Sequence, residues 1–160
     1  MKIINNFITN EESNFLLYYH IQNFNLNLDH SFTHRNTDVM ACSKIMHVPI
    51  IKDIHNKLEK FAKSVNKKYT INYFQIVKWP TGENQDRHID FEYHPFTSIL
   101  YLNDDFVGGE TIVGKKSFKP IKNTIIGFEG NKIKHEVRKI KKGIRFTIPC
   151  WYKYGGVTIN

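Results

Sequence analysis

The sequence predicts a mainly β chain, a sandwich or barrel of short strands preceded by two α-helices. From Tyr69 onward the chain breaks into short runs rich in β-branched and aromatic residues, separated by Gly, Pro, Asn or Asp. The helical apolar periods lie before that point. With 160 residues, 41% hydrophobic and 14% aromatic, the chain can bury a core without disulfides or a structural metal. The expected organisation is a single domain over 1–160, with helical support in 1–68 and a β core in 69–155.

The first helix opens at "TNEES", where Thr9 stands three residues before Glu12 in a capping-box pattern and Phe15 and Leu16 follow at helical spacing. The second opens at Pro49, a residue suited to a first helical turn, and sets Ile50, Ile54, Leu58, Phe61 and Val65 as one stripe. Strands are expected in "YTINYFQIVKW", "TSILYL", "GETIVG", "KSFKPI", "NTIIGFE" and "IRFTIPCWYKY". Residues 29–48 show no strong period and read as a loop or a lid.

Net charge is +8, and residues 111–160 carry twelve Lys and Arg against Glu129 and Glu136. These cations fall in turn-like segments without interleaved aromatics, which favours solvated turns over a patch for an acidic partner or nucleic acid. Cys42 and Cys150 have no short spacing of a zinc or redox motif and read as reduced, packed thiols. No run approaches a membrane span and the N-terminus lacks a signal-peptide pattern, so the expected location is the cytoplasm.

The chemistry-bearing stretch is "RHIDFEYHPF", Arg87–Phe96. In extended backbone His88 and Asp90 project to the same face, about 6.6 Å apart at roughly 3.3 Å per residue, where imidazole and carboxylate can meet one divalent ion. His135, 45 residues beyond Asp90 in "KIKHEVRKI", is either a third ligand returned by a closed sheet or a surface histidine in a lysine-rich turn. Two histidines and one carboxylate make the facial triad of non-haem Fe(II) oxygenases. In "GIRFTIPCW" alternation sends Ile144, Phe146 and Ile148 to one face and Arg145 and Thr147 to the other. Arg145 then reaches solvent or is buried against an anion, and no acid lies in its own strand. Thr97, Ile99 and Tyr101 share a face in the same way, which makes Tyr101 either a cavity hydroxyl or a core ring.

Together "HID", "YLNDDFVGGET", "KHEV" and "GIRFTIPCW" resemble the 2-oxoglutarate- and Fe(II)-dependent oxygenases of the prolyl 4-hydroxylase type, over about Tyr73 to Trp151; "INNFITNEESNFLL" resembles that family's N-terminal segment. The resemblance implies a double-stranded β-helix, or jelly roll, packed against the two N-terminal helices. It implies that His88, Asp90 and His135 bind Fe(II), and that Arg145 grips the distal carboxylate of 2-oxoglutarate with Tyr101 and Thr147 beside it. Trp151 would flank the pocket, Arg87 and His94 would either stand near the substrate or behind the ligands or face solvent, and "GGET" would be a structural turn. One departure is Trp79, in "WPTG", where relatives commonly carry a tyrosine. An indole N–H donates but cannot accept, and Tyr73 or Gln75 are alternative sources of that cosubstrate contact.

The implied reaction couples oxidative decarboxylation of 2-oxoglutarate to hydroxylation of a C–H bond, using Fe(II) and dioxygen, with ascorbate as an optional reductant. A prolyl residue of a peptide or protein leads as target by analogy. A free amino acid, another small molecule or nucleic acid are the alternatives. A rival of another class is a jelly-roll binding module, or a cupin-like metal protein using His88, Asp90 and His94, which leaves Arg145 without a purpose.

Overall fold

A computed structural model of the chain describes residues 1–23, 36–156 and 158–159. Helix α1 (Asn10–Gln22) begins at its capping box: the Thr9 hydroxyl accepts the Glu12 N–H at 3.1 Å, and the Glu12 carboxylate accepts the Thr9 N–H at 3.0 Å. Helix α2 (Pro49–Val65) starts on its proline. Its buried stripe is Ile51, Ile54, Leu58, Phe61 and Ala62, with Ile51 in place of the expected Ile50 at one end and Ala62 in place of Val65 at the other. Val65 is exposed because it is the last helical residue.

Six strands form the large antiparallel sheet, in the order β1 (Lys2–Ile4), β9 (Ile125–Phe128), β5 (Phe96–Tyr101), β12 (Arg145–Tyr154), β3 (Tyr69–Trp79) and β2 (Asp38–Ala41). Facing it is a four-stranded sheet in the order β4 (Gln85–His88), β10 (His135–Val137), β7 (Thr111–Val113) and β8 (Lys116–Phe118). A short ladder joins β6 (Val107–Gly108) to β11 (Ile140–Lys142). This is the expected mainly β jelly roll with two flanking helices.

Alternation divides the large sheet into two jobs. Phe74 and Ile76 of β3, Leu100 of β5, and Phe146, Ile148, Cys150 and Tyr152 of β12 pack with Leu16 of α1 and the α2 stripe in the main core. The opposite face carries Gln75, Val77 and Trp79, Thr97 and Ile99, and Arg145, Thr147 and Trp151, which line a cavity between the two sheets. Registers hold these rows together, with Thr147 opposite both Val77 and Tyr101, and Trp151 opposite both Tyr73 and Thr97.

The loop or lid expected over 29–48 is corrected in part. Asp38–Ala41 is an edge strand paired to β3, and Cys42–Lys44 is a 3₁₀ turn. Met40 enters the main core while Val39 lines the cavity, so both faces of this strand are apolar and no alternation marks it. The part over residues 29–35 lies outside the described residues. Cys42 and Cys150 are free and buried, and most lysines and arginines after residue 110 are exposed on turns and outer edges. Among the described residues no helix is long and apolar enough to cross a membrane.

Gly127 of β9 lies under two rings: a Cβ there would stand 2.5 Å from Phe96 and 2.8 Å from Phe61. Gly127→Ala overpacks the helix–sheet seam and is expected to destabilise by about 1–3 kcal/mol. Thermal denaturation checks this, with the midpoint falling about 3 °C per kcal/mol.

His20 of α1 is buried, its Nε2–H donating to the Asp38 carbonyl at 3.0 Å and its Nδ1 without a partner among the described residues. Burial holds this imidazole below its ordinary value of 6.5. The unfolded chain therefore takes up the proton first as pH falls through 6.5, and stability is lost from there down to the folded-state value. His20→Gln keeps a donor and removes the titration, so the slope of unfolding free energy against pH below 6.5 is expected to flatten.

Candidate active site

Strand β4 is an edge strand of the small sheet and ends at His88. Its register with β10 pairs His88 with His135 and Gln85 with Val137, so two residues of β4, Asp86 and Arg87, oppose Glu136 alone. This β-bulge turns both Gln85 and His88 inward although they are three residues apart. It also turns Arg87 away: its guanidinium bonds the Gly114 carbonyl at 2.9 Å and lies 3.6 Å from Glu136, outside the cavity.

His88, Asp90 and His135 each offer one donor atom, and these atoms lie within 4.8 Å of one another. Each histidine Nδ1 sits 2.8 Å from a main-chain carbonyl, that of Asp86 for His88 and that of Ile133 for His135. A carbonyl only accepts, so Nδ1 carries the proton and the Nε2 lone pairs face Asp90, whose Oδ1 lies 3.6 Å from His88 and 3.3 Å from His135. Neighbouring donors around a divalent ion with bonds of about 2.1 Å stand roughly 3 Å apart, so the three groups fit one ion from one side. Burial pushes the Asp90 carboxyl up, but the His135 and His88 imidazoles, once protonated at Nε2 as well, and the Thr97 hydroxyl outweigh it and hold it well below the usual carboxylate range. That carboxylate in turn raises His88 above its ordinary value. His88 keeps 30% side-chain exposure against 8% for Asp90 and 7% for His135, so the trio opens past His88.

Deeper in the cavity Arg145 is fully buried and makes no ion pair among the described residues. Its Nε donates to the Gly109 carbonyl at 3.2 Å and its Nη2 to the Thr111 hydroxyl at 3.1 Å. The guanidinium lies between the rings of Trp79 at 5.2 Å and Tyr101 at 5.5 Å. Trp79 thus stacks against this cation, and Tyr101 meets it through Thr111, whose hydroxyl is 2.6 Å from the phenol oxygen. The "GGET" turn is structural, as expected: at Gly108 (φ +82°) a Cβ would stand 2.2 Å from the Lys139 carbonyl, and Gly109 supplies the carbonyl for Arg145. Thr147 and the buried amide of Gln75 line the same cavity, of about 110 Å³; the Gln75 Nε2 has no partner among the described residues.

A second cavity of about 200 Å³ continues outward from His88 and Asp90, lined by Tyr73, Phe91, His94 and Trp151. Tyr73 stacks on Trp151 at 4.6 Å and Phe91 on Tyr93 at 5.3 Å, with the His94 ring edge-on between the pairs. His94 Nε2 pairs with Asn72 at 2.9 Å, and His94 is no part of the metal-binding group. Residues that sequence reasoning did not single out are Gln85 and Gly130, which carry no local signal, since the β4 bulge places one and a turn the other; Thr111, the last residue of "GGET", opens β7.

The model of the 2OG-Fe(II) oxygenase superfamily matches residues 74–153, half of the chain. The chain belongs to that superfamily. It is a 2-oxoglutarate-dependent Fe(II) oxygenase, an enzyme that uses Fe(II), 2-oxoglutarate and dioxygen. The fold of this oxygenase is also that of solved prolyl hydroxylases. The viral collagen prolyl hydroxylase of Paramecium bursaria Chlorella virus-1, in its 2OG complex, aligns at 20% identity over 96% of this chain and 94% of its own, with a TM-score of 0.74. A Trichoplax adhaerens prolyl hydroxylase in complex with a hypoxia-inducible-factor peptide gives 20% identity, 96% and 83% coverage and a TM-score of 0.78. A Pseudomonas putida prolyl-4-hydroxylase gives 15%, 96% and 91%, and 0.77. No curated protein matches the sequence.

The unpaired buried cation carries its own expectation. Replacing even a buried ion pair by apolar groups of similar volume is often neutral or about 1–4 kcal/mol stabilising, and a cation without a carboxylate has less attraction to lose. Arg145→Met is therefore expected to melt, without ligand, at or above the wild-type midpoint, whereas 2-oxoglutarate with a redox-inert divalent metal should raise the midpoint of the wild type only. Differential scanning fluorimetry reads both.

Proposed function

We propose that this oxygenase hydroxylates prolyl residues of peptides or proteins, with His88, Asp90 and His135 as the iron ligands and Arg145 as the anchor for 2-oxoglutarate. The observation that carries the substrate class is the outer cavity. It begins at His88 and Asp90 and is walled by Tyr73, Trp151, Phe91 and His94. Such flat apolar walls suit a pyrrolidine ring, and Pro-rich segments dock in aromatic-lined grooves because their extended backbone is already ordered. The likeness in fold to three prolyl hydroxylases supports the same reading.

Bound at the three ligands, Fe(II) supplies the oxidising chemistry, in which 2-oxoglutarate loses carbon dioxide to become succinate and one oxygen atom enters a substrate C–H bond. The chain's part is to bind, orient and exclude water. Arg145 offers a planar fork to the distal carboxylate from a water-poor site, where a charge-assisted pair is strong. Burial raises the Tyr101 phenol, so it stays protonated and keeps a hydrogen to donate. Thr147 and Gln75 line the same cavity as the cation and the three ligands. Trp151 stands where the two cavities meet, since it lines both.

Incubation with Fe(II), 2-oxoglutarate and a panel of proline-containing peptides is expected to add one oxygen atom to a proline, read by mass spectrometry; labelled free amino acids should stay unmodified. Trp151→Ala is expected to raise peptide KM about tenfold or more, the effect of losing a buried aromatic anchor of at least about 1.4 kcal/mol. Its peptide-independent succinate formation should change little. Modification of a free amino acid in place of peptides would overturn the substrate class.

A further inference from the structure

We propose that Thr97 and Gly130 are positioning residues of the iron site, which hold the Asp90 carboxylate so that its Oδ1 faces the two imidazoles. This rests on the reading of His88, Asp90 and His135 as the metal ligands.

The two oxygens of Asp90 have different partners. Oδ1 is the one near the Nε2 atoms of His88 and His135, while Oδ2 accepts the Thr97 hydroxyl. A carboxylate only accepts, so the hydroxyl hydrogen points at Oδ2 and marks that oxygen as the one turned from the metal. Thr97 can fix it because it belongs to β5, a strand paired on both sides, with Trp151 of β12 and Phe128 of β9 opposite. Asp90 itself lies beyond the end of β4, and its main-chain anchor is the N–H donated to the Gly130 carbonyl at 2.9 Å.

Gly130 closes the clamp by having no side chain. A Cβ there would fall 2.2 Å from Asp90 Oδ2, 2.4 Å from Thr97 Oγ1 and 3.0 Å from Thr97 Cβ. Gly130 is absent from the glycines with positive φ, so its backbone conformation is open to any residue and space alone demands glycine. The atoms a methyl group would strike are the ends of two short side chains. Asp90 would swing aside before the sheet moved, and Oδ1 would leave its place between the histidines. Groups that orient ligands in this way typically change metal affinity by about 10–100-fold when mutated.

The test is a Co(II) titration of the metal-free enzyme without 2-oxoglutarate, followed by the visible ligand-field bands, for wild type, Thr97→Val, Thr97→Ser and Gly130→Ala, with metal-free melting alongside. Thr97→Val and Gly130→Ala are expected to bind Co(II) about 10–100-fold more weakly. Thr97→Ser, which keeps the hydroxyl, should bind and absorb like wild type, and Thr97→Val should keep the wild-type midpoint. Wild-type affinity and bands in Thr97→Val and Gly130→Ala would overturn the proposal while leaving the metal site standing. No Co(II) binding by wild type would overturn the metal site itself, and the clamp with it. If Gly130→Ala melts early, Thr97→Val against Thr97→Ser decides.

Discussion

A guanidinium buried without a counter-charge is the constraint around which the interior is arranged. Taking a cation out of water costs several kcal/mol even after relaxation, and neutral hydrogen bonds recover only part of that. The chain supplies what neutral groups it can: the Gly109 carbonyl, the Thr111 hydroxyl and two aromatic faces around Arg145. Each of these depends on a fold-level feature. Gly109 sits in a turn of positive-φ glycines between β6 and β7, Thr111 starts β7, and Trp79 lies opposite Arg145 in the β3–β12 ladder. The cavity end of the large sheet thus holds a positive charge that an anion entering the cavity could meet.

The end that carries His88, Asp90 and His135 obeys a different logic, because its groups come from polar and irregular chain. His88 closes an edge strand, Asp90 follows it, and His135 opens a three-residue strand 45 residues away. The pairing of His135 with His88 brings the rings together at 4.3 Å, and the bulge in β4 aims His88 inward. Main-chain carbonyls on both Nδ1 atoms then choose the tautomer. Rigidity here comes from a dense set of local hydrogen bonds, whereas at Arg145 it comes from sheet packing.

This difference decides how much was legible from sequence. The long strands β3, β5 and β12 announce themselves through β-branched and aromatic runs, and their parity correctly separates Phe146 and Ile148 from Arg145 and Thr147. The helices announce themselves through a capping box and a proline. Strands β4 and β10 do not: "QDRH" is polar and "HEV" is three residues long, so neither carries a period. The candidate ligands were found by residue type and motif order. What no motif shows is the bulge that turns Arg87 out and Gln85 in, or the space that Gly130 leaves, because both are properties of paired or facing segments.

The two faces of the large sheet also differ in how completely their polar groups are satisfied. On the helix side the buried Ser98 and Tyr152 hydroxyls bond to each other at 2.9 Å, and Tyr152 also reaches the Leu58 carbonyl, while the His20 Nδ1 is an unpartnered atom there among the described residues. On the cavity side the Gln75 amide nitrogen and the His94 Nδ1 are buried without partners among the described residues, and Arg145 has no carboxylate. A protein selected for stability alone would remove such groups, since each unsatisfied one costs about 1–3 kcal/mol. Those of Gln75, His94 and Arg145 line the two joined cavities, where a ligand bringing acceptors and negative charge could meet them. A ligand that supplied those partners would relieve the protein as it bound, while the packed helix-side core supplies the stability that lets the cavity side stay incomplete.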